Sequence, residues 1–144
     1  MGSDPSAGWS IDSQLACDSV ALGDLPLCQI RLMNDANYPW LLLLPRRANV
    51  TEITDLTEDD QAQLMREVAQ TVRVLKAETV CDKVNIAAIG NVVTQLHVHV
   101  IARFRTDAAW PKPVWGAAPA RAYETTKMEG LLTTLRRRCS AIIH

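Results

Sequence analysis

Two of the chain's three histidines stand one residue apart in Gln95-Leu96-His97-Val98-His99-Val100-Ile101, an otherwise apolar run. A β-strand repeats every two residues, so His97 and His99 share one face, while Leu96, Val98 and Val100 take the other. One face is built for burial and the other presents paired imidazoles. Such a pair can bind a metal, shuttle protons or attack an electrophile. A metal needs a third and fourth ligand nearby, and the nearest acidic residues, Asp82 and Asp107, flank the hairpin without pointing to a site. Nucleophilic attack needs only one free imidazole nitrogen, with the other held by a hydrogen bond that a backbone carbonyl can supply. His144, the last residue, offers nothing comparable.

The neighbouring residues suit an anionic substrate. Arg103 and Arg105 continue the face of Gln95, His97 and His99. In an extended strand Arg103 stands ~13 Å from His99, at the rim, where it can draw in a phosphate. Asn85, Gly90 and Asn91 lie on the preceding strand and turn, where a glycine lets backbone approach a ligand closely.

The elements that must hold these residues follow from pattern. Ser10 reads as the cap of a short helix through Leu15 and Cys17. Ser19–Leu22 and Leu27–Met33 read as strands joined by a hairpin turn at Gly23-Asp24. Asn34 to Pro39 is a turn, and Trp40 to Leu44 is a continuous apolar run stopped by Pro45, as in a central strand. Leu64, Met65, Val68, Val72 and Leu75 recur at helical spacing, which predicts a long helix from Thr57 to about Thr79. Thr57 is its N-cap, and Glu58, Asp59 and Asp60 suit the positive end of its dipole. Strands are expected over Lys83–Ile89 and Thr94–Arg103. A proline-stiffened loop follows at Trp110 to Gly116, then a last helix carrying Met128, Leu131, Leu132 and Leu135 and ended by Arg136, Arg137 and Arg138. Mostly in hairpin order, these elements predict an α+β domain: about five antiparallel strands, a long central helix and a C-terminal helix.

The 144-residue length allows one domain, expected over residues 10–144 after a mobile N-terminal tail over residues 1–9. Met1-Gly2 with Ser6 formally matches a myristoylation pattern, but the Ser/Pro/Gly-rich segment reads as tail. With 15 Lys+Arg against 16 Asp+Glu, the chain lacks the basic footprint of extended nucleic-acid binding. The longest strictly apolar stretch, Trp40 to Leu44, is too short to span a membrane. Cys17, Cys28, Cys81 and Cys139 show no metal-ligand spacing and read as reduced thiols of a cytoplasmic protein. No metal and no cofactor are expected.

The run Gln95 to Ile101 resembles the signature of the histidine triad (HIT) family, His-φ-His-φ-His-φ-φ with φ apolar, with Gln95 at the first histidine. The resemblance extends over roughly Ser19 to Arg105: an apolar strand ending in Pro45, the helix from Thr57, and the strand Asn85 to Gly90 before the signature. It implies a small α+β domain that forms homodimers and acts on nucleotides. Such proteins cleave at the α-phosphate of phosphoramidates or dinucleoside polyphosphates, as hydrolases or nucleotidyltransferases. The middle histidine, here His97, forms a covalent nucleotidyl intermediate; His99 matches the third histidine, which contacts phosphate. Asn34 sits close to the family's ribose-holding position, and Asn85 and Asn91 resemble its phosphate-contacting positions.

Three departures bear on activity. Gln95 keeps hydrogen-bonding capacity but cannot take a proton. Val92 stands where many members carry Ser or Thr, with Thr94 close but on a different step, and Trp40 where a further active-site histidine often sits. They motivate the alternative of a nucleotide-binding protein with little turnover; a His-x-His metal protein is the third class. Trp110 and Trp115 read as core or dimer packing ahead of base stacking, although a stiffened aromatic loop can close over a nucleotide.

Overall fold

The computed structural model describes residues 3–143, so Met1, Gly2 and His144 lie outside the described residues. Helix α1 (Ser13–Asp18) leads into β1 (Ser19–Asp24), β2 (Cys28–Met33) and β3 (Trp40–Pro45). After a single 3-10 turn (Ile53–Asp55) come α2 (Glu58–Thr79), β4 (Lys83–Ala87), β5 (Val98–Arg103) and α3 (Thr125–Ile143). The strands form one sheet in the order β1-β2-β3-β5-β4, with every neighbouring pair antiparallel.

The α+β architecture is as expected, and β3 shows why its apolar run is continuous. All six of its residues are buried, because the sheet is covered on both faces. On one face Leu41 and Leu43 join Val98, Val100 and the stripe Leu64, Val68 and Leu75 of α2. On the other, Leu42 and Leu44 join Tyr38, Trp40, Ile101, Ala109 and Val114. Helix α2 starts where its cap dictates: Thr57 Oγ1 accepts from the Asp60 N–H at 3.1 Å. Its fully buried Glu67 accepts from the Leu27 and Cys28 N–H groups at 2.9 and 2.8 Å, fastening the helix to the β1–β2 turn.

Four element boundaries differ from expectation, each through a contact distant in sequence or a local substitute. Asp12, not Ser10, caps α1, its carboxylate accepting from Gln14 and Leu15 N–H. Gly23-Asp24 is not the hairpin turn: β1 runs on through a bulge between Ala21 and Gly23, and the chain reverses over residues 25–27 under the Glu67 clamp. Strand β5 begins at Val98 rather than Thr94, because the Leu96 N–H leaves the sheet for the Val50 carbonyl at 3.0 Å. The arginines do not end α3: Arg136 donates to the Ala21 carbonyl, Arg138 pairs with Glu78, and the helix continues to Ile143.

Candidate active site

Residues 95–99 run from the β4–β5 connection, where Leu96 N–H bonds the Val50 carbonyl of the β3–α2 loop, into the sheet, carrying both histidines onto the face of the aromatic cluster. His99 pairs with Leu42 on one side and Ala87 on the other, which fixes its backbone from both neighbours. His97 lies one residue before the ladder starts. The two rings are 4.9 Å apart between centroids, at 70° to each other, and both residues are buried.

Each imidazole has one nitrogen assigned by its partner. His97 Nδ1 is 2.7 Å from the Gln95 carbonyl oxygen. A carbonyl only accepts, so Nδ1 carries the proton and Nε2 keeps a free lone pair. His99 Nδ1 receives the Trp40 indole N–H at 3.0 Å. Indole only donates, so the His99 proton sits on Nε2. The two rings therefore hold opposite tautomers: His97 offers a nucleophile, His99 an uncharged hydrogen-bond donor. Burial, reinforced by repulsion from a charged His97, lowers the His99 pKa to about 4. Trp115 packs edge-on against His99 with centroids 4.9 Å apart, and lies 5.7 Å from Trp40.

The other expected site residues are only partly gathered. Gln95 contributes its backbone carbonyl to His97, but its side chain turns away. Nε2 donates to the Ser10 carbonyl at 2.8 Å, and Oε1 accepts the Asp12 N–H at 2.9 Å. Asn34 accepts from the Tyr123 N–H and lines a pocket of about 280 Å³ that Trp40 shares with the histidine face. Asn85 is beside Ile101 on β4, its Oδ1 taken by Arg103 at 2.7 Å. Asn91 is exposed in the turn after Gly90, whose φ of 67° is in the left-handed region. A second cleft, of about 200 Å³, lies beside His97 between Ile53, Thr54, Ile89 and Gly90.

Arg103 is not at the rim. It is 1% exposed, bound to Asp107 at 2.8 and 3.1 Å, with its guanidinium between the Tyr38 and Trp110 rings at 5.8 and 5.7 Å. It therefore cannot meet an incoming phosphate. Its partner Asp107 also accepts from Phe104, Ala109 and Trp110 N–H. Burial alone would raise that carboxyl, but Arg103 and these donors outweigh it and bring its pKa down to about 2. Asp35, buried in the turn after β2, is the residue that sequence reading passed over. Its Oδ1 accepts from Asn37 and Arg121 N–H, and it lines the same pocket as Asn34. Only its place beside Asn34 in a polar turn signalled it. Among the described residues, no three His, Cys, Asp or Glu side chains come together as metal ligands. No helix among them is long and apolar enough to cross a membrane.

The family model described as the HIT domain matches residues 14–106. The chain belongs to the HIT family. Among solved HIT structures, a histidine triad protein from Bradyrhizobium japonicum is 53% identical, with 90% of this chain and 97% of that one covered and a TM-score of 0.88. One from Sinorhizobium meliloti is 42% identical, over 91% and 97% of the two chains, with a TM-score of 0.88. A third, from Marinobacter aquaeolei, is 35% identical, over 92% and 97%, at 0.89. Comparison with curated proteins finds no match.

The His99 environment makes HIT-domain stability pH-dependent. Its folded pKa of about 4 lies below the ordinary 6.5, so between these values the unfolded chain binds more protons than the folded one. Stability therefore rises with pH through that window and levels off above it, a span of about 3 kcal/mol. Urea unfolding at pH 4 to 8 should show this component in the wild type and not in His99→Gln. A constant difference between the two proteins across that range would refute it.

Proposed function

We propose that this HIT protein is a nucleotide hydrolase or nucleotidyltransferase that works through a covalent nucleotidyl intermediate on His97. The observation that carries this reading is the pair of opposite tautomers, with the Gln95 carbonyl holding the His97 Nδ1 proton and Trp40 filling His99 Nδ1. His97 Nε2 attacks the α-phosphorus, and the bond to the leaving group breaks with its electron pair departing on that group. The resulting imidazolium keeps its Nδ1 proton on the Gln95 carbonyl, which stabilises the positive charge. His99 donates from Nε2 to a phosphate oxygen without becoming charged. Water or another acceptor then attacks the phosphorus and frees His97.

The nucleoside is assigned to the pocket lined by Asn34, Asp35 and Trp40. There a carboxylate oxygen not taken up by the backbone suits the hydroxyls of a ribose. Asn91 is assigned to phosphate contact at the turn, whereas Asn85 serves by holding Arg103. Gln95 takes the place of the family's first histidine and contributes through its carbonyl. Substitution of His97 by Ala should therefore abolish both turnover and the nucleotidyl-protein adduct with adenosine phosphoramidates or diadenosine polyphosphates. Turnover by His97→Ala at the wild-type rate would contradict the assignment. Tight binding of nucleoside monophosphate without hydrolysis by the wild type would favour a binding protein instead.

A homodimer is proposed through β4. This strand is an edge of the sheet, and its Ile86 is 54% exposed. An unpaired strand edge with an exposed apolar side chain is a template for a second copy. Sedimentation should give a dimer for the wild type and a monomer for Ile86→Lys; a monomeric wild type would rule the interface out.

A further inference from the structure

We propose that Trp115 is a positioning residue: brought in by the 108–117 loop, it closes His99 off from water and holds that ring on the Trp40 indole. The inference rests on His99 being the uncharged donor to phosphate, and its test reads His99 without substrate.

Fixed points on either side of Trp115 set its place. Before it, Asp107 Oδ1 accepts from the Ala109 and Trp110 N–H groups, and Arg103 packs on the Trp110 ring. The adjacent Val114 is buried in the aromatic cluster. After it, the Ala117 N–H donates to the Val114 carbonyl at 3.3 Å, closing a turn whose central residues are Trp115 and Gly116. Gly116 has a φ of 74°, the left-handed conformation that a type II turn requires at its third position. The indole is thus aimed by a defined turn rather than by a loose tether. Its centroid lies 4.9 Å from that of His99 at 79°, and 5.7 Å from that of Trp40 at 88°. Trp115 is 40% exposed and His99 only 5%, so the outer side of the indole meets water while the inner side covers the imidazole.

The sheet fixes the His99 backbone between Leu42 and Ala87, but the ring still turns about its side-chain bonds. One hydrogen bond, from the Trp40 indole to Nδ1, sets its direction. Trp115 packs on both members of that bond, in the edge-to-face arrangement that aromatic rings favour. It touches no reacting atom and acts through His99. The cover also decides charge. His99 already carries a proton on Nε2, so a second one goes to Nδ1 and breaks the bond from Trp40. Burial opposes that proton, and so does repulsion from a charged His97 on the same strand. Among the described residues no carboxylate pairs with His99 to offset them. Asp107 is bound to Arg103, Asp18 and Asp35 line the pocket that Trp40 shares, and Lys112 of the loop is exposed. Without the Trp115 side chain, water reaches His99 and solvates its cation, and the ring loses the contact that holds its Nε2–H in line.

The test is a ¹H–¹⁵N titration of the histidine side chains in the wild type, Trp115→Ala and Trp115→Phe. The wild-type His99 midpoint is expected at about 4. In Trp115→Ala it should rise by about one pH unit or more, and the Trp40 indole proton should lose its hydrogen-bonded shift. Trp115→Phe, which keeps an aromatic edge, should bring both back near the wild-type values. Lys112→Ala, exposed on the same loop, should leave both unchanged. Gly116→Ala disturbs the turn with Trp115 intact: its added Cβ meets nothing within 4 Å, but a φ of 74° disfavours alanine, so His99 should move the same way. A His99 midpoint within about 0.3 pH unit of wild type in both Trp115→Ala and Gly116→Ala would overturn the proposal. An equal rise in Lys112→Ala would overturn it too. With adenosine 5′-phosphoramidate, kcat of Trp115→Ala should fall about tenfold while KM stays within about twofold of wild type. An unchanged kcat in that variant would count against positioning. Should the wild type not cleave this substrate, the His97 reading fails, and the titration alone decides the role of Trp115.

Discussion

The hydrogen bond between His97 Nδ1 and the Gln95 carbonyl, 2.7 Å long, is the contact on which the site depends. A free Nε2 lone pair requires a proton on Nδ1, and a main-chain carbonyl enforces that without any particular side chain at position 95. The Gln95 side chain is thereby released for another task. It spans Ser10 and Asp12, and Asp12 in turn caps α1. Leu15 of that helix is buried in the same cluster as Trp40, the residue that fixes His99. One residue thus orients His97 through its backbone and braces the far wall of the site through its side chain.

A second constraint supports the first from the other end of β5. Arg103 is a buried cation with a carboxylate, an amide oxygen and two aromatic faces around it. Removing one partner of such a pair typically costs about 3–5 kcal/mol, because the remaining charge is left unpaired away from water. Asp107 also binds the backbone of the loop that carries Trp110 and leads to Trp115. The same ion pair therefore stiffens the strand bearing the histidines and sets the loop that closes over them.

Much of this was legible in the sequence because it follows from local periodicity. The spacing of His97 and His99 gives a shared face, the run from Trp40 to Leu44 gives a strand covered on both sides, and Thr57 marks a helix start. What was not legible depends on contacts across the chain. Gln95 finds its side-chain partners 83 and 85 residues away. The start of β5 is set by Val50, which no pattern near residue 96 reveals. Strand spacing places Arg103 at a distance along β5, but it carries no information about the loop that folds back to bury it. Asp35 was hidden for a different reason: in a run of Asn and Asp residues, turn formation alone accounts for its presence.

The account stands most directly on where the imidazole protons are. Long-range ¹H–¹⁵N correlation spectra of the histidine side chains near pH 8, assigned with His97→Gln and His99→Gln, read this without substrate. The structure predicts opposite tautomers, with the proton on Nδ1 of His97 and on Nε2 of His99. A His97 protonated on Nε2, with its lone pair on Nδ1, would contradict the role of the Gln95 carbonyl and with it the proposal that His97 is the nucleophile.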